Sequence, residues 1–130
     1  MCIHALLGHL PIEEDTKLTY ENGQIWRPIK TILKDPLAVT DAASVPDSDL
    51  VPAAIIYPTY RSETWTVRPS PVGGHRWHFK YRQGPGEVLL IKCFDSRPDV
   101  ARRALHSAFE DPDHAADDYR ESIEDRKSVV

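Results

Sequence analysis

Six histidines carry most of the chemistry open to this sequence: His4, His9, His75, His78, His106 and His114. A neutral imidazole binds metals and moves protons near pH 7, so the spacing of these residues is the first test. No HxxxH, HExxH or CxxC pair occurs, and no zinc signature is present. His75 and His78 stand three apart, which on a strand points them to opposite faces. They cannot chelate one metal there, and they read as polar rims of an aromatic-rich hairpin. Cys93 lies inside an apolar run and reads as a small buried hydrophobe rather than a nucleophile. There is no GxSxG elbow and no glycine-rich phosphate loop; Gly73-Gly74 and Gly84-Pro85-Gly86 are turn signals. By residue type alone, His106 is an ordinary histidine on an amphipathic segment. Arg120, set among Asp117, Asp118, Glu121 and Glu124, is an ordinary member of a solvated ion-pair cluster.

The elements that must hold these groups are mostly strands. Between Ile25 and Leu90 the chain is punctuated by Pro28, Pro36, Pro46, Pro52, Pro58, Pro69, Pro71 and Pro85, a spacing no helix can run through. Runs of strand composition lie between the prolines: Leu37–Val39, Ala53–Tyr57, Thr64–Val67, Trp77–Tyr81 and Glu87–Phe94. Trp65/Val67 and Trp77/Phe79/Tyr81 alternate as half-buried strands do. The continuous apolar run Val88–Phe94 predicts a strand buried on both faces. Residues 9–23 are polar and predict a surface turn or short helix, with Pro11 at its first position before Glu13 and Glu14. In the last third, Val100, Ala101, Ala104, Leu105, Ala108 and Phe109 recur at helical spacing between Pro98 and Pro112. Ala116, Tyr119 and Ile123 form a second such stripe. Periodicity therefore predicts helices over residues 98–110 and 114–127.

Composition excludes several functions. At 130 residues the chain is one modest domain. Sixteen Lys and Arg against 20 Asp and Glu leave a net charge of −4, which repels a phosphate backbone; no nucleic-acid partner is expected. No apolar run approaches the ~18 residues that span a bilayer. The first nine residues lack a basic segment and are broken by His4 and His9, so no secretory signal is expected. Two cysteines, Cys2 and Cys93, fit a reducing compartment, and a cytoplasmic location is expected.

One constellation spans nearly the whole chain. It reads Ile25-Trp-Arg-Pro-Ile29, Asp35-Pro-Leu-Ala-Val39, Asp49-Leu50, His75-Arg-Trp77, Glu87-Val-Leu-Leu90 with Lys92-Cys-Phe-Asp-Ser96, His106-Ser-Ala-Phe-Glu-Asp-Pro112, and Arg120-Glu-Ser-Ile-Glu124 with Arg126. In this order, over about residues 9–127, the string resembles the fungal hydroxylase/desaturase family that includes the AsaB type and the gibberellin desaturases. The resemblance implies Fe(II)- and 2-oxoglutarate-dependent oxygenases. It also implies a mainly β fold with some helix: a partial double-stranded β-helix, jelly-roll-like, to which periodicity would add C-terminal helices.

The same resemblance assigns roles. Such oxygenases hold iron by two imidazoles and one carboxylate, leaving positions open for co-substrate and dioxygen. His106 matches the distal histidine ligand. Arg120 matches the arginine that holds the far carboxylate of 2-oxoglutarate, a task suited to a planar guanidinium that stays charged. On a strand, Ser122 would share its face and grip the same carboxylate. Trp26, Trp65 and Trp77 are candidate pocket walls. In relatives the other two ligands come as His-x-Asp just before the stretch resembling His9–Glu14, whereas residues 1–8 hold no His-x-Asp or His-x-Glu. The expectation is therefore an N-terminally truncated oxygenase-like domain, residues 1–130, with an incomplete metal site. Open sheet edges would then be covered by a second copy or a partner. Two functional readings follow. One is an oxidoreductase of fungal secondary metabolism that hydroxylates or desaturates a small hydrophobic metabolite. The other is a catalytically inactive relative, without cofactor, acting as a binding or assembly module.

Overall fold

The computed structural model describes residues 5–6, 21–71 and 73–129, and the polar stretch predicted as a turn or short helix lies almost wholly outside them. Nine strands follow one another: β1 (Ala5–Leu6), β2 (Glu21–Pro28), β3 (Leu37–Thr40), β4 (Leu50–Ile56), β5 (Arg61–Val67), β6 (Trp77–Phe79), β7 (Leu89–Asp95), β8 (His106–Ala108) and β9 (Ser122–Val129). The helical content among the described residues is three single 3₁₀ turns, at Ala42–Ser44, Asp47–Asp49 and Pro112–His114. None of the described helices is long and apolar enough to cross a membrane.

The strands form three antiparallel sheets, in the orders β7-β2-β9, β6-β3-β8 and β1-β5-β4. The first two pack through Trp26, Ile32, Leu37 and Ile91, with Val39, Leu89 and Ala104 against them. Burial alternates along β2: Gln24, Trp26 and Pro28 are buried and Arg27 between them is exposed, so the even positions face the other sheet. Register carries that face across β9, where Ser122 lies opposite Pro28 and Glu124 opposite Trp26. In the second sheet Leu37 and Val39 of β3 face the core, and His106 sits opposite Val39. His106 is thereby turned toward the space between the two sheets.

Three expectations are corrected. The helices predicted over 98–110 and 114–127 are extended chain, single turns and the strands β8 and β9. Long-range pairing overrode the local period. The Ala104 amide donates to the Lys92 carbonyl and the Thr40 amide to the Leu105 carbonyl (2.8 Å each), and β9 pairs with β2 along its full length. A helix would leave the backbone groups of β2 and β3 on those sides unpaired. The run predicted to be buried on both faces is buried on one: Ile91 and Cys93 are 3% and 2% exposed, while Leu90 is 79% exposed. Third, the strand predicted over Trp77–Tyr81 stops at Phe79, because Tyr81 belongs to the following turn. Pro52 falls within β4 rather than ending it, opposite Trp65. That is tolerated because β4 pairs on one side only and needs no donor on the other.

Candidate functional site between the two sheets

Position and partner set the chemistry of His106. The buried Thr40 side chain clamps the residue before it: its hydroxyl donates to the Leu105 carbonyl at 3.3 Å and accepts from the Leu105 amide at 3.1 Å. Leu105 itself is 1% exposed. The ring then lies with Nδ1 3.2 Å from the Ala104 carbonyl. A carbonyl can only accept, so Nδ1 carries the proton and Nε2 keeps the lone pair, the tautomer in which histidine binds metals. Burial holds the imidazole below its ordinary pKa, against the opposing pull of the Ala104 carbonyl and of Glu124. It is therefore neutral at pH 7.

Arg120 stands two residues before β9. Its Nη1 donates to the Asp35 carbonyl at 3.0 Å, and its guanidinium carbon lies 5.7 Å from the centre of the Trp26 ring. Asp35 presents that carbonyl from a left-handed conformation (φ +53°), which a short polar side chain tolerates. Burial lowers the pKa of Arg120, opposed by the negative charges of Asp35 and Glu124. The group remains a cation, half-buried, with most of its five donors uncommitted and no carboxylate paired to it among the described residues. Glu124 acts electrostatically on both Arg120 and His106, which places all three side chains in one region.

The structure thus brings His106 (β8), Trp26 (β2) and Arg120, just before β9, into one region, and Ser122 opens β9 opposite Pro28. Ser122 is exposed, on the strand face that carries Glu124. The other two tryptophans stand on other strand rows. Trp65 pairs with Ala5 and Pro52 in the third sheet, and Trp77 lies opposite Thr40, on the face of β3 away from Val39. Sequence reasoning misses two residues. Glu124 counts there only as a charge. Gln24 is 4% exposed beside Trp26, and its Oε1 is buried with no hydrogen-bond partner among the described residues. A polar residue at an inward strand position two before a core tryptophan is the available signal.

Other polar groups are satisfied within the chain. His75 Nε2 donates to Asp49 at 2.8 Å. Tyr81 donates to His114 Nε2 at 3.1 Å, and His114 Nδ1 donates to Asp117 at 2.6 Å. A depression of about 410 Å³ is lined by Thr40, Val45, Asp47, Arg103 and Leu105, among others, and includes neither His106 nor Arg120.

The donor set distinguishes the two groups that an oxygenase would need. A half-buried, carboxylate-free guanidinium at the mouth of an inward-facing sheet fits a dicarboxylate such as 2-oxoglutarate. Iron is different. Among the described residues no three His, Cys, Asp or Glu side chains gather into a metal site. His106 is the imidazole beside Arg120 and Trp26, and Fe(II) does not fit it alone.

In sequence and in fold the chain is similar to known proteins. The model of the oxidoreductase/YMDC permease-like domain matches residues 2–130. The hydroxylase/desaturase efuI of Hormonema carpetanum is 42% identical over 113 residues, covering 78% of this chain and 37% of its own. The hydroxylase/desaturase asaB of Aspergillus flavus is 40% identical over 119 residues, covering 79% of this chain and 51% of its own. A solved structure of the iron and alpha-ketoglutarate-dependent endoperoxidase NvfI superposes with a TM-score of 0.76 at 29% identity, over 85% of this chain and 42% of that one. The chain thus spans about half or less of the length of these proteins.

Proposed function

The chain belongs to the family of the oxidoreductase/YMDC permease-like domain and the fungal hydroxylase/desaturases, and on that premise we propose that it forms the 2-oxoglutarate-binding part of an oxidoreductase. Such an enzyme of fungal secondary metabolism hydroxylates or desaturates a small hydrophobic metabolite. The observation that carries this reading is Arg120: a half-buried cation over Trp26, bonded to a backbone carbonyl and paired with no carboxylate among the described residues. A fold that desolvates a cation leaves it costly unless an anion arrives. The names of the relatives favour an enzyme over an inert module.

In this reading Arg120 holds the far carboxylate of the co-substrate bidentately, and the Ser122 hydroxyl donates to the same group. Trp26 walls the anion from water and, through its ring face, steadies the guanidinium. Bound 2-oxoglutarate would supply the two electrons that match those taken from the substrate when dioxygen is reduced. His106 offers Nε2 to the iron of such a centre; the described residues support the co-substrate half of the site and a single ligand of the metal half. A cytoplasmic location fits the cysteine content. A partner or second copy over the sheets fits the exposure of Leu90 and Ile123 on the outer face of β7-β2-β9.

Titration of the full chain with 2-oxoglutarate in a calorimeter tests the reading. Arg120→Ala is expected to weaken binding ~100-fold, the loss of charge-assisted hydrogen bonds worth about 1.5–3 kcal/mol each. Equal binding by the variant would remove Arg120 from the role.

A further inference from the structure

The hollow of about 410 Å³ has no part in that reading, and it opens at the other end of β3. Arg120 bonds the Asp35 carbonyl, two residues before β3 begins, whereas the hollow starts at Thr40, the last residue of that strand. Its size is within the range of small-molecule sites, roughly 300–1,000 Å³. Two stretches of chain form it, residues 42–47 and residues 98–103. Ala42, Ala43, Val45, Val100 and Ala101 make most of the lining apolar. Thr40 and Leu105 line it too, but their polar groups are committed: the Thr40 hydroxyl bonds both the carbonyl and the amide of Leu105.

The charge in the lining comes from Arg102, Arg103 and Asp47. Two cations against one anion make the hollow locally positive on a chain of net charge −4. The Arg103 side chain is 17% exposed and pairs with Asp47, whose own is 78% exposed. A carboxylate that far into solvent forms a weak ion pair and leaves it at little cost, while the sheltered guanidinium stays behind. Arg102 spends Nε on the Asp95 carbonyl at 3.2 Å and lies 5.6 Å from the centre of the Phe94 ring. A sheltered guanidinium beside an apolar wall recognises a carboxylate carried on an apolar body. The planar fork takes both oxygens, and the wall removes the rest from water. An uncharged lipid would leave the cations unused, and a short polar anion would leave the wall uncovered.

We propose that this hollow binds a small amphiphilic monocarboxylic acid, whose carboxylate takes the place of Asp47 on Arg103 while its apolar body lies against Val45, Val100 and Ala101. The inference is independent of the co-substrate reading, since it uses neither Arg120 nor His106.

The test titrates the full chain with octanoate, with its uncharged analogue octanamide and with acetate. Calorimetry reads affinity, and amide NMR shifts of residues 42–45 and 99–105 read position. Octanoate is expected to bind about 10-fold tighter than either control and to shift those amides. Arg103→Gln should weaken octanoate about 10-fold and leave octanamide unchanged. Ala101→Phe, at an exposed position, fills the hollow and should abolish octanoate binding. Asp47→Asn removes the competing carboxylate from a solvent-facing position and should tighten octanoate about 3-fold. Octanoate that binds no better than octanamide overturns the proposal, as do shifts confined to other residues. Affinity unchanged in Arg103→Gln overturns it as well. If that variant fails to fold, Asp47→Asn decides, and unchanged or weaker binding there has the same consequence.

Discussion

Two regions of this small protein each hold an imidazole near carboxylates, and they are organised in opposite ways. At the Asp49 corner, His75 has a side chain only 6% exposed and donates to Asp49 at 2.8 Å. Beside it Arg76 donates to Asp41 at 2.5 and 3.2 Å, and its amide donates to the Ser44 hydroxyl at 2.9 Å. Every one of these polar groups is satisfied by the chain. Between the two packed sheets the reverse holds. Among the described residues, nothing is bonded to Nε2 of His106, Arg120 has a carbonyl but no carboxylate, and nothing donates to the sealed oxygen of Gln24. A satisfied polar cluster staples a fold; unsatisfied groups gathered on one inner face cost stability, and a ligand is what repays them. The closed corner is structure, and the open one is the place to look for function.

The largest expected effect comes from the residue that belongs to both core and open site. Trp26→Ala removes a 4%-exposed ring and should cost about 3–5 kcal/mol in urea unfolding. It should also abolish 2-oxoglutarate binding, since Arg120 loses its wall. A variant with native stability would show that the two sheets do not share this core. A smaller change sharpens the contrast from the other side. Asp49→Asn should lower stability by about 1 kcal/mol and leave 2-oxoglutarate affinity unaltered, because His75 takes no part in the open site. Altered affinity there would merge the two regions.

The smallest effect is one of pH. Burial lowers the pKa of His106 in the fold, so the unfolded chain takes up its proton first as pH falls. His106 therefore contributes stability above the ordinary histidine value of about 6.5, and this is lost as pH drops through that value toward the lower folded one. Stability measured between pH 7 and 5 should fall less steeply in His106→Gln than in the parent chain. An identical slope would mean that the ring is not desolvated.

Much of the fold is legible in the order of the residues. Proline spacing excludes helices between Ile25 and Leu90, and the runs at Leu37, Ala53, Thr64, Trp77 and Glu87 correspond to β3 to β7 with shifted ends. Periodicity misleads in segments whose partners lie far away. Val100 to Phe109 repeats like a helix, yet the strand is decided by β3, some 65 residues earlier, through the Thr40–Leu105 clamp. Leu90 reads as core because its neighbours are apolar, although the pleat turns it outward. For the candidate site, His106, Arg120 and Ser122 are named by resemblance. Gln24 is missed, since its one local signal, a polar residue two before a core tryptophan, does not tell a buried amide with a partner from one without.

The sequence by itself determined the family, the β character and the types of side chain on offer: an imidazole, a guanidinium, a hydroxyl and an aromatic wall. These follow from residue identity and from patterns a few residues long. The tertiary structure decided which of them meet. Register across β2, β9, β3 and β8 sets Glu124 beside Trp26 and His106 beside Val39, and puts Trp65 and Trp77 on other strand rows. It also decided which polar groups are left unpaired there. Hydrogen-bond satisfaction is a property of packed neighbours, and in this fold those neighbours are tens of residues apart along the chain.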